Sequence, residues 1–257
     1  MMTNLRDRCL NHLQMLGIPL RPDTLDGALS KAEKESLPHL SFLDQLLGPP
    51  AAARHERAVA RRLREARFAE PKTLEGFDWK FNLKAFDRLQ IEELATGDFI
   101  RRRANLIFVG WSGVGKSHII QALGHKACVH GYRVCYRTSA ALLTDLTASL
   151  ADKTLPLRVR YYSRPQLLII DEFGLDRIER SEGPQAAHLL YKIIAARNQK
   201  RSTALVTNVD FDKWGDYLFD GPLAMALLDR LVQGAIILKI KGKSYRAHGP
   251  QAGDEPT

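Results

Sequence analysis

Cysteine is scarce in this chain of 257 residues. There are three cysteines, an odd number: Cys9, Cys128 and Cys135. They form neither a C-x-x-C pair nor a cluster with histidine. The pattern argues against a disulfide scaffold and against a zinc site, and it fits a reducing cytoplasm.

Long apolar runs are missing as well. No stretch approaches the roughly 18 consecutive apolar residues that a membrane-spanning helix needs. The first residues, Met1 to Asp7, lack the apolar segment of a signal peptide. We therefore expect a cytoplasmic protein that has no membrane partner.

Acidic residues are fewer than basic ones, with 29 Asp and Glu against 38 Lys and Arg, so the formal net charge is +9. A basic protein of this kind favours an anionic partner, of which nucleic acid is the first candidate. A generic basic protein that is kept soluble by its charge would have the same composition.

A glycine-rich segment from Gly110 to Ser117 fits the pattern G-x-x-x-x-G-K-[ST]. An apolar run precedes it and a run of helical periodicity follows it, which is the strand–loop–helix setting that a phosphate-binding loop requires. Lys116 is expected to contact the β and γ phosphates, and Ser117 to offer its hydroxyl to Mg²⁺. The residues predicted to bind the nucleotide are Gly110, Trp111, Ser112, Gly113, Val114, Gly115, Lys116, Ser117 and His118.

A second apolar run, 166–170, ends in the adjacent carboxylates Asp171 and Glu172. Asp171, at the tip of the predicted strand, is placed to hold Mg²⁺, while Glu172 on the opposite face could polarise an attacking water. A strand that merely ends in a polar turn is the alternative. Behind a phosphate-binding loop, the pair indicates ATP hydrolysis rather than binding alone.

A third β-rich run, 202–207, ends at Asn208. The carboxyl ends of parallel strands meet at the ligand crevice of an α/β sheet, so Asn208 could hydrogen-bond the γ-phosphate or the lytic water. An asparagine that simply starts a turn would show the same pattern.

The order of apolar runs predicts the domain organisation. Strands at 105–109, 133–137, 166–170, 203–207 and 235–240 alternate with helices, which predicts a parallel sheet with helices on both faces. Residues 1–70 are predicted to form a small all-α N-terminal domain, 71–246 the core domain, and 247–257 a disordered tail. The aromatic-rich segment 71–100 is expected to pack on the core, near a bound adenine.

Within the N-terminal part, we expect helices at 22–36 and 40–47, with Gly48-Pro49-Pro50 ending the latter. A helix from Ala51 to Phe68 carries six arginines against two glutamates. It could contact DNA or a protein partner, and a solvated basic face is an equal alternative.

Taken in order along the chain, these motifs resemble the AAA+ class of ATPases. The resemblance is closer to the IstB branch, which comprises transposition helper ATPases related to the DnaC-type helicase loaders. It rests on 72–78, the glycine-rich loop, 167–174, 211–215, 228–231 and 244–246, and it covers roughly 35–246. The departures are Trp111 where such loops often carry proline, Ser117 where threonine is usual, and Asn198-Gln199 where a more aromatic-acidic pair is often seen.

The resemblance implies subunits that assemble side by side, with ATP at each seam. Arg230, in the sequence Leu-Asp-Arg-Leu, would then be the arginine finger that reaches the γ-phosphate of a neighbour. A surface arginine paired with Asp229 is the alternative. Arg246 could approach the site from the C-terminal side.

Related initiator-type ATPases use an added helical stretch to touch DNA, and this chain carries one between Ser139 and Pro165. Its basic residues are expected to meet DNA phosphates with little base readout, although ordinary surface charges explain them equally. These candidates are Lys153, Arg158, Arg160 and Arg164.

The function implied by the resemblance is that of a Mg-dependent, DNA-stimulated ATPase. It would oligomerise on duplex DNA and regulate a partner transposase and its choice of target. The alternative is a replicative helicase loader of the DnaC type, which shares the ATPase core. A nucleotide or small-molecule kinase and a scaffold that binds ATP without turnover fit the residues less well, because of Asp171 and Glu172.

Overall fold

A computed structural model describes residues 4–82, 85–175 and 183–248. The chain divides into two compact units, Met1–Arg61 and Arg62–Thr257. The predicted boundary at 70 differs from this division, because Leu63 and Ala66 already pack into the core of the second unit. The predicted disordered tail, 247–257, lies outside the described residues except for Ala247 and His248.

The first unit is helical. Helix α1 spans Leu5–Met15 and α2 spans Pro22–Lys34, and α3 begins in this unit and runs through His39–Ala66. Arg6 of α1 donates a hydrogen bond from its Nε to the Asp26 carboxylate of α2, at 2.7 Å.

The predicted helix end at Gly48-Pro49-Pro50 is wrong, because α3 continues through both prolines. Proline removes a backbone donor and crowds the preceding turn, but its fixed φ is itself a helical angle. Here the two prolines are adjacent, so the lost donors fall at one point of a helix of 28 residues.

The second unit is built on a five-stranded parallel sheet with the order β2-β3-β4-β1-β5. The strands are β1 Leu106–Gly110, β2 Val134–Thr138, β3 Leu167–Phe173, β4 Ser202–Thr207 and β5 Ile236–Ile240. All five predicted strands are confirmed within one to three residues at their ends, since buried parallel strands are near-continuous apolar runs.

Helices cover both faces of this sheet, as the alternation of apolar runs predicted. They are α4 Arg88–Ala95, α5 Asp98–Arg101, α6 Lys116–Val129, α7 Ser139–Ala151, α8 Leu155–Ser163, α9 Gly183–Arg197, α10 Trp214–Leu218, α11 Gly221–Val232 and α12 Tyr245–His248. Among the described residues, none of the helices combines the length and the apolarity that crossing a bilayer requires.

Each face of the sheet packs against its own apolar cluster. Leu106 and Phe108 of β1 point to the face covered by α4 and α6, and Ile107 between them points to the face covered by α7, α9 and α11. The added stretch before β3 is helical, as expected, and consists of α7 and α8.

Arg197, at the end of α9, connects three segments on the sheet face that α7, α9 and α11 cover. Its side chain is buried, with only 1% of the residue exposed. Its guanidinium donates to the carbonyls of Tyr162, Pro165 and Ser202 and to the hydroxyl of Thr203. Burial lowers the pKa of Arg197 to about 9. The side chain thereby ties α9 to the end of α8 and to the start of β4.

We expect Arg197→Met to destabilise the protein by about 3 kcal/mol, because two buried carbonyls, one half-buried carbonyl and a buried hydroxyl would lose their donor. Urea unfolding monitored by circular dichroism measures the loss. Arg201→Met, at an exposed arginine nearby in sequence, is the control and should change stability by less than about 0.5 kcal/mol. Equal stabilities for the two variants would contradict this role of Arg197.

Candidate nucleotide-binding site

The loop between β1 and α6 is packed so closely that its glycines leave no room for a side chain, as Gly110 and Gly115 show. A Cβ on Gly110 would lie 1.9 Å from the carbonyl oxygen of Ile240, because β5 passes directly beside it. Gly115 has φ +102°, and a Cβ there would lie 2.7 Å from the ring of Phe77. The sequence motif and the packing therefore both indicate a phosphate-binding loop immediately before α6.

Lys116 is the first residue of α6, and its ammonium lies inside the loop. Its Nζ donates to the carbonyls of Gly110, at 2.7 Å, and Trp111, at 2.6 Å. Burial lowers the pKa of Lys116 to about 8. The loop thus holds a cation whose charged form becomes more favourable when an anion arrives beside it.

Asp171 is fully buried near the end of β3, and each of its carboxylate oxygens has a donor. The hydroxyl of Ser117 donates to Oδ1 at 3.0 Å, and the hydroxyl of Tyr136 donates to Oδ2 at 2.9 Å. Burial raises the pKa of Asp171, and these hydrogen bonds oppose the rise. Residues from α6, β2 and β3 therefore meet at one carboxylate.

Glu172 lies on the other side of the strand end, as predicted. The pairing of β3 with β4 shifts register between Ile170 and Phe173, and Glu172 has φ +61° at this irregularity. Its side chain is exposed, while its backbone N–H donates to Asp171 Oδ1 at 2.8 Å. The bulge separates one buried carboxylate from one that faces solvent.

These residues border one cavity of about 660 Å³. The predicted residues that line it are Ser112, Gly113, Val114, Gly115, Lys116, Ser117, His118, Asp171, Glu172 and Asn208. Gly110 and Trp111 are not among its lining residues, and they contribute the two carbonyls that Lys116 contacts. The indole of Trp111 is 69% exposed.

The segment that precedes α4 forms another wall of this cavity. Phe77, Phe81 and Asn82 line it together with Tyr245 and Arg246 from the C-terminal side. The Asn82 amide and the Lys243 backbone exchange two hydrogen bonds, of 2.8 and 3.1 Å. The aromatic content of 71–100 indicated that it would pack on the core, but not which of its side chains reach the site.

Tyr136 is a site residue that motif analysis missed. It lies on β2, an edge strand that the sequence predicted, but no local pattern shows that β2 pairs with β3. Strand order is what brings its hydroxyl to Asp171.

Arg230, on α11, does not line the cavity of its own chain. Its guanidinium lies over the ring of Tyr191, 4.8 Å from the centroid, and donates to the Ala226 carbonyl at 3.0 Å. The Asn105 amide donates to the backbone carbonyls of Arg230 and Leu231, which anchors this end of α11 to the start of β1.

The four predicted DNA contacts lie on α8 and in the turns that follow α7 and α8. Lys153 has φ +55° in the turn between the two helices, and Arg160 and Arg164 are exposed. Arg158 lies 3.5 Å from the carboxylate of Asp145. Arg158 alone of these four lines a cavity described below.

The family model described as IstB-like ATP binding protein matches residues 12–252. This chain belongs to the IstB-like ATP-binding family. The match includes the loop, both carboxylates, Asn208 and Arg230, so the nucleotide for which the cavity is built is ATP.

Relatives named for insertion sequences and for ATP binding align with nearly the whole chain. The IS21 protein of Pseudomonas aeruginosa is 36% identical over 86% of this chain and 82% of its own length. A Sinorhizobium fredii protein is 34% identical over 94% of this chain and 96% of its own. The IS5376 protein of Geobacillus stearothermophilus is 29% identical over 94% of each.

Solved structures confirm the AAA+ P-loop fold. DnaI superposes with a TM-score of 0.54 at 18% identity, over 71% of this chain and 94% of that one. AMPPCP-bound DnaA from Aquifex aeolicus has a TM-score of 0.51 at 21% identity, over 70% of this chain and 53% of that one.

We expect the affinity for a non-hydrolysable ATP analogue to fall above about pH 8. Free Lys116, with its pKa of about 8, is charged below that pH, while bound phosphate would raise its pKa. Binding above pH 8 must therefore take up a proton, and affinity should fall up to about tenfold per pH unit. Calorimetric titration from pH 7 to pH 9.5 measures this slope.

Lys116→Arg is the control, because its guanidinium stays charged across this range. Its affinity should be nearly independent of pH, whatever its absolute value. The same slope in both proteins would mean that another group takes up the proton.

We expect Tyr136→Phe to weaken Mg²⁺ binding at the site. The variant removes one hydrogen bond from Asp171, so the carboxylate pKa rises further and the side chain is less firmly oriented. A loss of about 1 kcal/mol corresponds to an approximately fivefold higher Mg²⁺ concentration for half-maximal ATP turnover. Tyr132→Phe, at a half-buried tyrosine that does not line the cavity, should leave this concentration unchanged, and equal shifts would contradict the role of Tyr136.

Proposed function

We propose that this protein is a Mg-dependent ATPase that oligomerises on duplex DNA and regulates a transposase and its choice of target through ATP hydrolysis. The observation that carries the proposal is the separation of Asp171, buried against Ser117, from Glu172, exposed at the same end of β3. Both carboxylates border the cavity that holds the phosphate-binding loop.

The oxygen donors of Ser117 and Asp171 suit Mg²⁺, which prefers hydroxyl and carboxylate ligands together with phosphate oxygens. Their 3.0 Å separation fits a shared ion. Bound Mg²⁺ would neutralise charge on the β and γ phosphates. Lys116 would bind the same phosphates, and Asn208 lies where it can orient the γ-phosphate or a water.

Glu172 supplies the function that distinguishes hydrolysis from phosphate transfer to a second substrate. A carboxylate exposed in the cavity can accept a proton from water as that water attacks the γ-phosphate. A nucleotide kinase has no need of this group, and an ATP-binding scaffold needs neither Glu172 nor the buried Asp171.

The position of Arg230 supports the proposed oligomerisation. Since its guanidinium lies over Tyr191 and outside the cavity of its own chain, a phosphate that it contacts would belong to a second subunit. An arginine supplied in trans stabilises the charge that develops during phosphoryl transfer. Each site would then be completed only by assembly.

DNA and the transposase are the partners that fit the charge and the family. A net charge of +9 favours a polyanion, and the arginines of α8 are exposed for backbone contacts with little dependence on base sequence. The relatives are named for insertion sequences, whose movement requires a transposase. With such partners, the protein would act in the cytoplasm.

The alternative is a replicative helicase loader of the DnaC type. It would have the same ATPase core, and the likeness to DnaI concerns the fold that both functions share. A loader would respond to single-stranded DNA and to a helicase, whereas the proposed transposition helper would respond to duplex DNA.

We expect duplex DNA to stimulate ATP hydrolysis by the wild type at least tenfold, and we expect this stimulation to be lost in Arg230→Ala and in Glu172→Gln. Each variant lacks a different half of a shared site. Mixing the two should restore part of the activity, because the intact Arg230 of one subunit can serve the intact Glu172 of the other. Phosphate release with no DNA, single-stranded DNA or duplex DNA measures these rates.

Arg201→Ala, at an exposed arginine outside the cavity, is the matched control and should keep the wild-type response. Full activity of Arg230→Ala alone would remove the shared-site mechanism. Stimulation by single strands only would favour the helicase loader, and turnover that is indifferent to all DNA would contradict both.

A further inference from the structure

A second, smaller cavity of about 190 Å³ lies beside β2 and contains three arginines. It is lined by Arg67, Arg137, Asp145, Arg158, Tyr161 and Tyr162. We call it the arginine pocket. Three guanidinium groups against one carboxylate leave an excess of two positive charges in a space that does not share any residue with the ATP cavity.

The three arginines come from separate parts of the chain. Arg67 directly follows α3 and has φ +59°, Arg137 lies on β2, and Arg158 lies on α8. The guanidinium of Arg137 donates to the Tyr136 carbonyl at 2.7 Å, and its Cζ is 6.0 Å from the ring centroid of Tyr162. Its position is therefore fixed by backbone and ring contacts, not by a counter-charge.

The single carboxylate is already engaged. Asp145 accepts a hydrogen bond from the Tyr162 hydroxyl at 2.8 Å and lies 3.5 Å from Arg158. Within the ranges that the structure describes, no carboxylate forms an ion pair with Arg67 or Arg137. An anion bound in this cavity would give its guanidinium groups a counter-charge in addition to Asp145.

Size and chemistry indicate which anion fits. The volume of about 190 Å³ admits a phosphate group, whereas the ATP cavity is more than three times larger. Arginine is the preferred partner of phosphate, because its planar fork matches two phosphate oxygens. The hydroxyl of the half-exposed Tyr161 offers a further donor at the rim.

We propose that the arginine pocket binds one phosphate group of the DNA backbone, with Arg67 and Arg158 contacting the same phosphate. This inference rests on the proposed DNA-binding function and assigns its contact point. A backbone phosphate, rather than a free one, fits because the exposed Arg67 and the half-exposed Arg158 and Tyr161 leave the pocket open. The rest of a polymer can remain outside while one phosphate enters.

A phosphate-binding pocket can be distinguished from a diffuse basic surface by comparing arginines inside and outside it. Arg160 and Arg164 carry the same charge in the same region but do not line the pocket. They serve as matched comparisons for Arg158, and the exposed Arg201 serves as a distant one. Arg137 is left unchanged, because its half-buried side chain also contributes to packing.

The test measures duplex DNA binding by fluorescence anisotropy over a series of salt concentrations for the full-length wild type, Arg67→Gln, Arg158→Gln and the double variant. Each single variant should bind about tenfold more weakly. Because both arginines contact one phosphate, the double variant should lose less than the product of the single losses. Its plot of log affinity against log salt should be shallower by about one unit, not two.

Arg160→Gln and Arg164→Gln should each weaken binding less than about threefold, and Arg201→Gln should not change it. Equal losses for Arg158, Arg160 and Arg164 would overturn the pocket in favour of a diffuse surface. Multiplicative losses with a slope shallower by two would overturn the shared phosphate. A wild type that binds no DNA would instead contradict the proposed function itself.

A free anion is tested by thermal unfolding with inorganic phosphate against chloride at constant ionic strength. The comparison uses Lys116→Ala with and without Arg67→Gln, so that the ATP site contributes equally. A phosphate-dependent stabilisation that Arg67→Gln removes, together with unchanged DNA binding, would assign the pocket to a free anion and overturn the DNA contact. Matching losses in both assays support the proposal.

Discussion

The buried carboxylate of Asp171 is the group on which the site depends. A charge removed from water is tolerated only when donors replace its hydration, and here Ser117, Tyr136 and the Glu172 backbone N–H do so. These donors belong to α6, β2 and β3. The position of the carboxylate is therefore correct only when the phosphate-binding loop, the edge strand and the bulge of β3 are all in place.

Much of this arrangement could be predicted from the sequence, because its signals are local. The glycine-rich loop, the Asp171–Glu172 pair and Asn208 each follow an apolar run, and parallel topology brings the ends of such runs to one edge. The five strands were found because each is a largely apolar run between helical segments, although Arg137 and Lys239 interrupt the two edge strands β2 and β5. Motif spacing and one rule of topology were thus sufficient to predict those residues of the ATP cavity.

What the sequence did not reveal depends on contacts between distant segments. Tyr136 reaches Asp171 because β2 pairs with β3, Arg197 holds backbone carbonyls from other elements, and Arg67 meets Arg158 only after folding. The helix through Pro49 and Pro50 was missed for a different reason. Two adjacent prolines are a local helix-breaking signal, but the helix extends well beyond them on both sides.

The edge strand β2 connects the two charged cavities. Successive residues of a strand point to opposite faces, so Tyr136 and Thr138 border the ATP cavity while Arg137 between them borders the arginine pocket. The Arg137 guanidinium also donates to the carbonyl of Tyr136. A phosphate that restrains Arg137 would restrain the residue whose hydroxyl orients Asp171. A phosphate in the pocket would therefore act on Tyr136 through Arg137, and a metal at Asp171 would act on Tyr136 through its hydroxyl. Under the proposed function, this is a physical route by which DNA would stimulate ATP turnover.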